Sequence, residues 1–138
     1  MLDYSPLENA LAQLEKSFAY LNSDAARNDS DLHQTFRAAT IQAFEFTYEL
    51  ATKMILRQLE EIVANPAELR KVAFMDFIRT AADSGLVREA PPFRIYREKR
   101  NITSHTYNEE SAEEVVAIIP DFITDIRFVL AELKRRNP

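Results

Sequence analysis

The side chains of this chain that could do chemistry are concentrated in eleven residues, Arg97 to Tyr107, which read R-E-K-R-N-I-T-S-H-T-Y. On a helix, Arg100 and Ser104 lie one turn apart. Asn101 and His105 have the same spacing, so the four side chains form one polar face at the C-terminal end of the predicted helix. Here the helix dipole favours imidazolium, and histidine titrates near neutrality. His105 can therefore move a proton while Arg100 binds phosphate oxygens through paired hydrogen bonds.

This pairing is suited to phosphodiester chemistry. An imidazole can act as base and acid for a 2′-hydroxyl and a leaving 5′-oxygen, and a fixed guanidinium stabilises charge at phosphorus, so no metal ion is required. In the alternative, structural interpretation, Arg100 pairs with Glu45 or Glu49 across the bundle. Asn101 then bonds to backbone and His105 caps helix carbonyls. The residues alone leave both interpretations open.

Composition limits the fold and the kind of site. The chain has 138 residues, which predicts a single domain over residues 1–138 with one hydrophobic core. One glycine against 46% hydrophobic residues indicates long helices and an all-α fold. The chain has no cysteine, and His33 and His105 are too few for a zinc centre on their own. We therefore expect no metal, no cofactor and a reducing, cytoplasmic environment.

Charge and hydropathy restrict the partners. The formal net charge of −5 opposes general attraction to nucleic acid, so any RNA contact must come from a local patch. The segment Arg88 to Arg100 is net basic and is the candidate patch. No run of about eighteen apolar residues is present, which predicts no membrane span and no secretory signal.

Five helical segments must position these residues. A capping box at Ser5 to Glu8 predicts the first helix, and a polar loop separates it from the second. The first helix begins at Ser5, the second runs from Asp31 to about Ala64, and the third lies near Glu68 to Asp83 and is ended by Gly85. The fourth runs from Pro91-Pro92 to about Ser104. The fifth begins at a capping box at Ser111 and is predicted to be kinked at Pro120.

The second helix is apolar on two faces. The first stripe is Ile41, Phe44, Tyr48, Ala51, Ile55, Leu59 and Ile62. The second stripe is Phe36, Ala39, Ala43, Phe46 and Leu50. A surface helix needs one apolar stripe, so two indicate either a central helix of the bundle or a helix that packs on a partner subunit with its second face. The second interpretation is favoured.

A polar seam runs between the two stripes and contains Gln42, Glu45, Glu49 and Lys53. Its simplest interpretation is a solvated face with an intrahelical pair of Glu49 and Lys53, which contributes a few tenths of a kcal/mol. The alternative is that one of the two carboxylates faces the polar end of the fourth helix. Helical phase does not favour Glu45 over Glu49.

The motif from Arg100 to His105 matches the R-N-x-x-x-H signature of HEPN domains. With Thr106 and Tyr107 it gives the R-x-x-x-x-H-x-Y form seen in partners of minimal nucleotidyltransferases. The block Ile41 to Leu50, followed by residues 100 to 112, resembles the subfamily of nucleotidyltransferase substrate-binding proteins. The resemblance covers roughly residues 5 to 135.

This resemblance implies an up-and-down antiparallel bundle of four long helices and one short helix that forms a homodimer. It also implies partnership with a minimal nucleotidyltransferase in a toxin and antitoxin pair. In the toxin branch, the matching residues Arg100 and His105 serve metal-independent RNA cleavage in a cleft at the dimer axis, with Asn101 in support. The matching Tyr107 receives AMP from the nucleotidyltransferase in some members, and charge added there would repel RNA.

The remaining candidate site residues have binding roles. Arg97 and Ser104 share the polar side of the fourth helix and are candidates for nucleotide or substrate binding. Glu45 or Glu49 is expected to position Arg100 or His105, as acidic residues of the second helix do in the family.

Three functions follow from these residues. The favoured hypothesis is a nucleotide- or substrate-binding partner of a nucleotidyltransferase, without turnover of its own. The alternative is an endoribonuclease toxin that uses Arg100 and His105. In a third, the chain is a scaffold that docks the nucleotidyltransferase through an exposed helical face.

Overall fold

The computed structural model describes residues 1–105 and 108–138, and for Ser104 and His105 only the backbone is described. The described residues form helices and no strands, which confirms the predicted all-α class. Eight helices are described: α1 (Ser5–Leu21), α2 (Asp24–Arg27), α3 (Ser30–Glu60), α4 (Pro66–Leu69), α5 (Phe74–Asp83), α6 (Pro92–His105), α7 (Glu109–Ala117) and α8 (Ile119–Arg136). None of these helices is both long and apolar enough to cross a membrane.

Helix α3 lies at the centre of the bundle, where α1, α6, α7 and α8 all contact it. Helix α1 runs antiparallel to α8, because Glu8 pairs with Lys134 near one end while Glu15 pairs with Arg127 at 3.1 Å further along. The four longest helices, α1, α3, α6 and α8, are the main elements of the predicted bundle. The shorter helices connect them.

The two apolar stripes of α3 have different environments. The first stripe forms the core, where Phe44 and Ile55 are fully buried, although Ile62 lies beyond the end of α3 and is 52% exposed. In the second stripe, Phe36 stacks on Tyr20 of α1 with ring centroids 5.3 Å apart. Phe46 of that stripe remains 61% exposed. Helix α1 therefore covers the beginning of the second stripe and leaves Phe46 at the surface.

A buried carboxylate ties α6 to α8. Asp125 is 2% exposed, accepts a hydrogen bond from the Tyr96 hydroxyl and lies 3.1 Å from an Arg88 guanidinium nitrogen. The Tyr96 ring packs edge-on against Phe122 of α8. Burial, together with the bond to Asp125, raises the pKa of Tyr96. The middle of α6 is thus fixed against α8 by both packing and a charged hydrogen bond.

Both predicted capping boxes are wrong. Helix α1 begins after Tyr4, the Ser5 amide donates to the Asp3 carboxylate at 2.9 Å, and Glu8 is drawn to Lys134 of α8 instead of the helix start. In α7 the cap is Asn108, which accepts from the Ser111 amide at 2.8 Å. In both cases a residue upstream of the expected cap occupies that position.

Several element boundaries also differ from the prediction. The polar stretch after α1 contains the single turn α2, and α3 is capped by Asp29 rather than Asp31. The predicted third helix is divided into α4 and α5. Pro120 separates α7 from α8, since it occupies the first turn of α8 where its missing amide is not needed.

Gly85 has the predicted helix-ending role. Its φ is +80°, in the left-handed region that favours glycine. The Leu86 amide bonds to the Ala81 carbonyl at 2.9 Å and the Gly85 amide bonds to the Ala82 carbonyl at 3.0 Å. These two bonds are the Schellman arrangement that satisfies the last carbonyls of a helix.

Replacing Asp125 with alanine tests the junction of α6 and α8. The change leaves the buried Tyr96 hydroxyl without its acceptor, and we expect a loss of about 1–3 kcal/mol in the free energy of unfolding. Urea unfolding followed by circular dichroism measures it. The exposed Asp83 serves as a control, since Asp83→Ala should change stability by no more than about 0.5 kcal/mol. Equal stability of the two variants would contradict this role of Asp125.

Candidate functional site

An ion pair between α3 and α6 forms the centre of the candidate site. The Arg100 guanidinium donates from Nη2 to Oε1 of Glu49, and the two side chains are 28% and 55% exposed. The bond from Glu49 raises the pKa of Arg100 against the opposing effect of desolvation. The cation is therefore held in place across the bundle while remaining within reach of solvent. This pairing confirms one contact of the structural interpretation of Arg100, and it is equally compatible with a binding role.

The structure also distinguishes the two carboxylates of the polar seam. Glu49 contacts Arg100 directly, whereas Glu45, one turn earlier on α3, acts on Arg100 through its charge. The sequence could not distinguish Glu45 from Glu49, because the choice depends on the position along α3 at which α6 crosses it. Glu49 is therefore the carboxylate that positions the arginine of the motif.

Aromatic side chains lie beside Arg97, the arginine three residues before Arg100 on α6. The Arg97 guanidinium carbon lies 4.7 Å from the centroid of the Phe74 ring, a cation–π distance. Tyr48 is buried beside them, and burial raises its pKa to about 12, although the charges of Arg97 and Arg100 act in the opposite direction. A surface groove of about 720 Å³ runs between α3 and the segment of α4 and α5, and Arg97 of α6 also lines it. Its lining includes Tyr48, Glu49 and Phe74.

The other predicted site residues occupy the last turns of α6. Asn101 is exposed, and the Thr103 hydroxyl donates to the Arg100 carbonyl at 2.7 Å. The side chains of Ser104 and His105 lie outside the described part of the chain, and so does Tyr107. The placement of the His105 imidazole beside Arg100, and the role of Tyr107, therefore stay predictions.

The basic segment from Arg88 to Arg100 does not act as one surface. Arg88 is directed to the buried Asp125. Lys99 lies 3.7 Å from Glu114 of α7. Of this segment, Arg97 and Arg100 are the cations that the structure places beside the groove and Glu49. Within this segment, the positive charge beside the groove and Glu49 thus comes from Arg97 and Arg100.

A second ion-pair cluster was not predicted from the sequence. Arg37 of α3 is 5% exposed and binds both carboxylate oxygens of Glu109 at 2.7 Å, and its Nη1 also contacts Glu113 at 2.6 Å. Arg37 lowers the pKa of Glu109 mainly through these hydrogen bonds. The acidic partners follow Arg37 by 72 and 76 residues, so no local pattern could reveal them.

The Arg37 cluster fixes the start of α7 on α3. Helix α7 begins at Glu109, directly after the segment that contains Tyr107. At the other end of that segment, α6 is held to α3 by Arg100 and Glu49. Both flanks of the motif are therefore anchored to the same central helix by charged hydrogen bonds.

An all-helical bundle in which the R-N-x-x-x-H motif ends one helix and its arginine pairs with an acidic residue of the central helix defines a HEPN-type protein. Comparison with known proteins identifies the branch. Residues 2–135 match the family described as nucleotidyltransferase substrate binding protein like. The chain belongs to this family.

Two relatives show how close the match is. The chain is 37% identical to a Haemophilus influenzae protein named probable ribonuclease HepT, over 99% of this chain and 94% of that protein. It also superposes with a TM-score of 0.90 on a solved Haemophilus influenzae structure described as the fold of a substrate binding domain of a nucleotidyltransferase. That likeness has 35% identity and covers 96% of this chain and 99% of the solved one.

The Arg37 cluster should make stability depend on acid. The pKa of Glu109 lies below its ordinary value of 4.5 in the folded chain, so its contribution is present above that pH and is lost as the pH falls through the lowered pKa. Between about pH 5 and pH 3, the free energy of unfolding of the wild type should fall more steeply than that of Arg37→Met, measured by urea unfolding.

The control for this experiment is Arg79→Met. This variant removes an exposed arginine of α5 that pairs with Asp76, also on α5. Because that pair is exposed and local, its removal should leave the pH dependence close to that of the wild type. A pH profile of Arg37→Met parallel to the wild type would show that Glu109 gains nothing from Arg37.

Proposed function

We propose that this chain is the nucleotide- or substrate-binding subunit that works with a minimal nucleotidyltransferase, encoded as a two-gene module and acting in the cytoplasm. Membership of the nucleotidyltransferase substrate binding protein like family supports this function, as does the likeness to a structure described as a substrate binding domain. The observation that carries the proposal is the Arg100 guanidinium, held by Glu49 next to a groove.

The ion pair suits phosphate binding for a physical reason. Glu49 restrains the planar guanidinium before the ligand arrives, which lowers the entropy cost of forming paired hydrogen bonds to phosphate. Because the pair is partly exposed, it contributes at most about 1 kcal/mol to stability. A phosphate oxygen can therefore join or replace the Glu49 carboxylate on Arg100 at little cost to the fold.

A homodimer completes the proposed site. Phe46 projects from α3 with 61% of its surface exposed, and together with Ala43 it lines an apolar groove beside the N-terminal half of α1. A large exposed aromatic in such a groove is typical of a protein contact surface. We propose that a second copy of the chain packs here and that Arg100 of each copy faces the cleft between them.

The alternative function is a metal-independent endoribonuclease, which is favoured by the relative named probable ribonuclease HepT. In that reaction His105 removes the proton from a 2′-hydroxyl. The 2′-oxygen then bonds to phosphorus, and the bond to the 5′-oxygen breaks as that oxygen is protonated. Arg100 stabilises the charge on the phosphate, and Asn101 supports the ligand.

The nucleotidyltransferase would act on this alternative function through Tyr107. The tyrosine hydroxyl loses its proton to solvent and its oxygen bonds to the α-phosphorus of ATP. The bond from that phosphorus to pyrophosphate breaks, pyrophosphate leaves, and AMP remains on the tyrosine. The negative charge added to the motif repels the RNA backbone and blocks the cleft.

Binding and cleavage are separated in one set of assays on the purified chain without its partner. Nucleotide binding is measured by calorimetry and RNA integrity on gels in the presence of EDTA. We expect Arg100→Ala to weaken nucleotide binding about tenfold or more, because it removes a charged hydrogen bond. The matched control is Arg94→Ala, an exposed arginine on the same helix, which should bind as the wild type does.

The results assign the function as follows. Nucleotide binding with intact RNA supports the binding subunit, whereas RNA cleavage that is lost in His105→Ala supports the ribonuclease. If Arg100→Ala leaves nucleotide binding, RNA cleavage and complex formation with the nucleotidyltransferase all unchanged, the chain is a docking scaffold and the proposal is wrong.

The dimer is tested at Phe46. Phe46→Asp places a charge on the proposed contact surface and should shift the chain from dimer to monomer in sedimentation velocity. Ile62→Asp is the matched control, because Ile62 is 52% exposed beyond the end of α3 and outside that groove. A wild type that sediments as a monomer, or a Phe46→Asp variant that remains dimeric, would contradict the proposed surface.

A further inference from the structure

The groove beside Glu49 is lined by more cations than carboxylates. Four cationic side chains line it, namely Lys53, Arg57, Arg70 and Arg97, together with the single carboxylate of Glu49. This concentration of positive charge occurs in a chain with a net charge of −5. A cleft lined mainly by one sign of charge focuses the field and attracts a ligand of opposite sign, so the excess of cations favours an anion.

The acidic residues next to the groove do not pair with two of its cations, Lys53 and Arg57. Glu49, one turn before Lys53, is directed to Arg100. Glu60, which follows Arg57 by three residues, is directed to Arg70, with nitrogen–oxygen distances of 3.2 Å and 3.3 Å. Across residues 1–105 and 108–138, no carboxylate oxygen lies within 4.0 Å of the Lys53 ammonium or the Arg57 guanidinium.

Lys53 and Arg57 are also neighbours on α3. They are four residues apart, and like charges at this spacing destabilise a helix slightly. The fold therefore keeps an unfavourable contact that a bound anion would relieve. Two adjacent cations on a rigid helix form a suitable clamp for phosphate oxygens.

The other wall of the groove suits a planar group. The Arg97 guanidinium carbon lies over the Phe74 ring, 4.7 Å from its centroid, so an aromatic ring helps to hold this cation in place. Arg97 is exposed, and guanidinium planes stack on nucleic-acid bases. Leu56 and Val72 add apolar surface to the groove, and Val72 is 42% exposed.

We propose that this groove is a nucleotide subsite that continues from Arg100. Lys53 and Arg57 bind phosphate, and a base stacks on Arg97, which Phe74 holds through its cation–π contact. The inference rests on the proposed function and extends it from a single arginine to a binding path. Eight residues separate Glu49 from Arg57 on α3, which corresponds to about 12 Å. A ligand that contacts both ends is therefore extended, and it is either a free nucleoside triphosphate or successive nucleotides of single-stranded RNA.

The test measures equilibrium binding of ATP and of a short oligoadenylate to the whole chain. The double variant Lys53→Ala/Arg57→Ala should bind roughly tenfold or more weakly than the wild type. For the oligoadenylate, removal of two phosphate contacts should also reduce the salt dependence of log affinity by roughly 1.4. Weakened binding of ATP alone assigns the groove to free nucleotides, and weakened binding of the oligoadenylate assigns it to RNA.

The stacking surface is tested by Arg97→Lys, which keeps the charge but removes the planar guanidinium. This variant should bind ATP about tenfold more weakly while binding inorganic tripolyphosphate as the wild type does. Equal losses for both probes would show that the Arg97 guanidinium binds phosphate rather than a base, and no loss for either probe would show that Arg97 acts only as a charge. Either result would overturn the assignment of a base to this wall.

The control is Lys16→Ala/Arg94→Ala, which removes two exposed cations outside the groove. If it weakens binding as much as the groove variant, general charge explains the effect and the inference is wrong.

If the groove variant binds normally while Arg100→Ala does not, the groove inference fails but the proposed function stands. If the wild type binds neither probe, both fail. Loss of the nucleotidyltransferase complex with normal nucleotide binding would make the groove a docking surface instead.

Discussion

The burial of α3 is the constraint on which the rest of the molecule depends. This helix has 31 residues and contacts α1, α6, α7 and α8, so its apolar side chains serve several interfaces at once. Polar residues of α3 therefore lie between these interfaces, and Glu49, Lys53 and Arg57 among them line the groove that Arg97 of α6 also lines. The carboxylate and cations proposed to act on a ligand are consequently on one side of the bundle.

Two ion-pair clusters on α3 differ in kind. Arg37 is buried and binds two glutamates of α7, so its loss would remove the charged hydrogen bonds that join the start of α7 to α3. Arg100 and Glu49 are partly exposed, and such pairs contribute little to stability. The first cluster therefore maintains the architecture around the motif. The second can exchange partners, which is what a binding site requires.

The sequence predicted the features that depend on local patterns. The all-helical class, the core stripe of α3, the start of α6 and the helix-ending role of Gly85 follow from periodicity or from one residue's conformational preference. The motif and its family were also correct, because the residues that define them are close together in the chain.

The sequence did not predict features that depend on how helices cross. Both capping boxes contained the right residue types, yet tertiary contacts and upstream caps displaced them, as Glu8 shows by pairing with Lys134. The choice of Glu49 over Glu45, the Arg37 cluster and the turning of Arg88 toward Asp125 all join residues far apart in sequence. Side-chain periodicity indicates which face of its own helix a residue occupies. It does not indicate where along a neighbouring helix the partner residue lies.

The anchoring of Tyr96 to Asp125 has a consequence for recognition. Tyr96 lies one turn before Arg100 on α6, and its bond to α8 prevents that part of the helix from sliding or turning. The spacing between the arginine and the central helix is thus set before any ligand arrives. Selection among ligands then depends on the shape of the ligand and on how far individual side chains extend. Because the backbone is already ordered, binding costs little backbone conformational entropy.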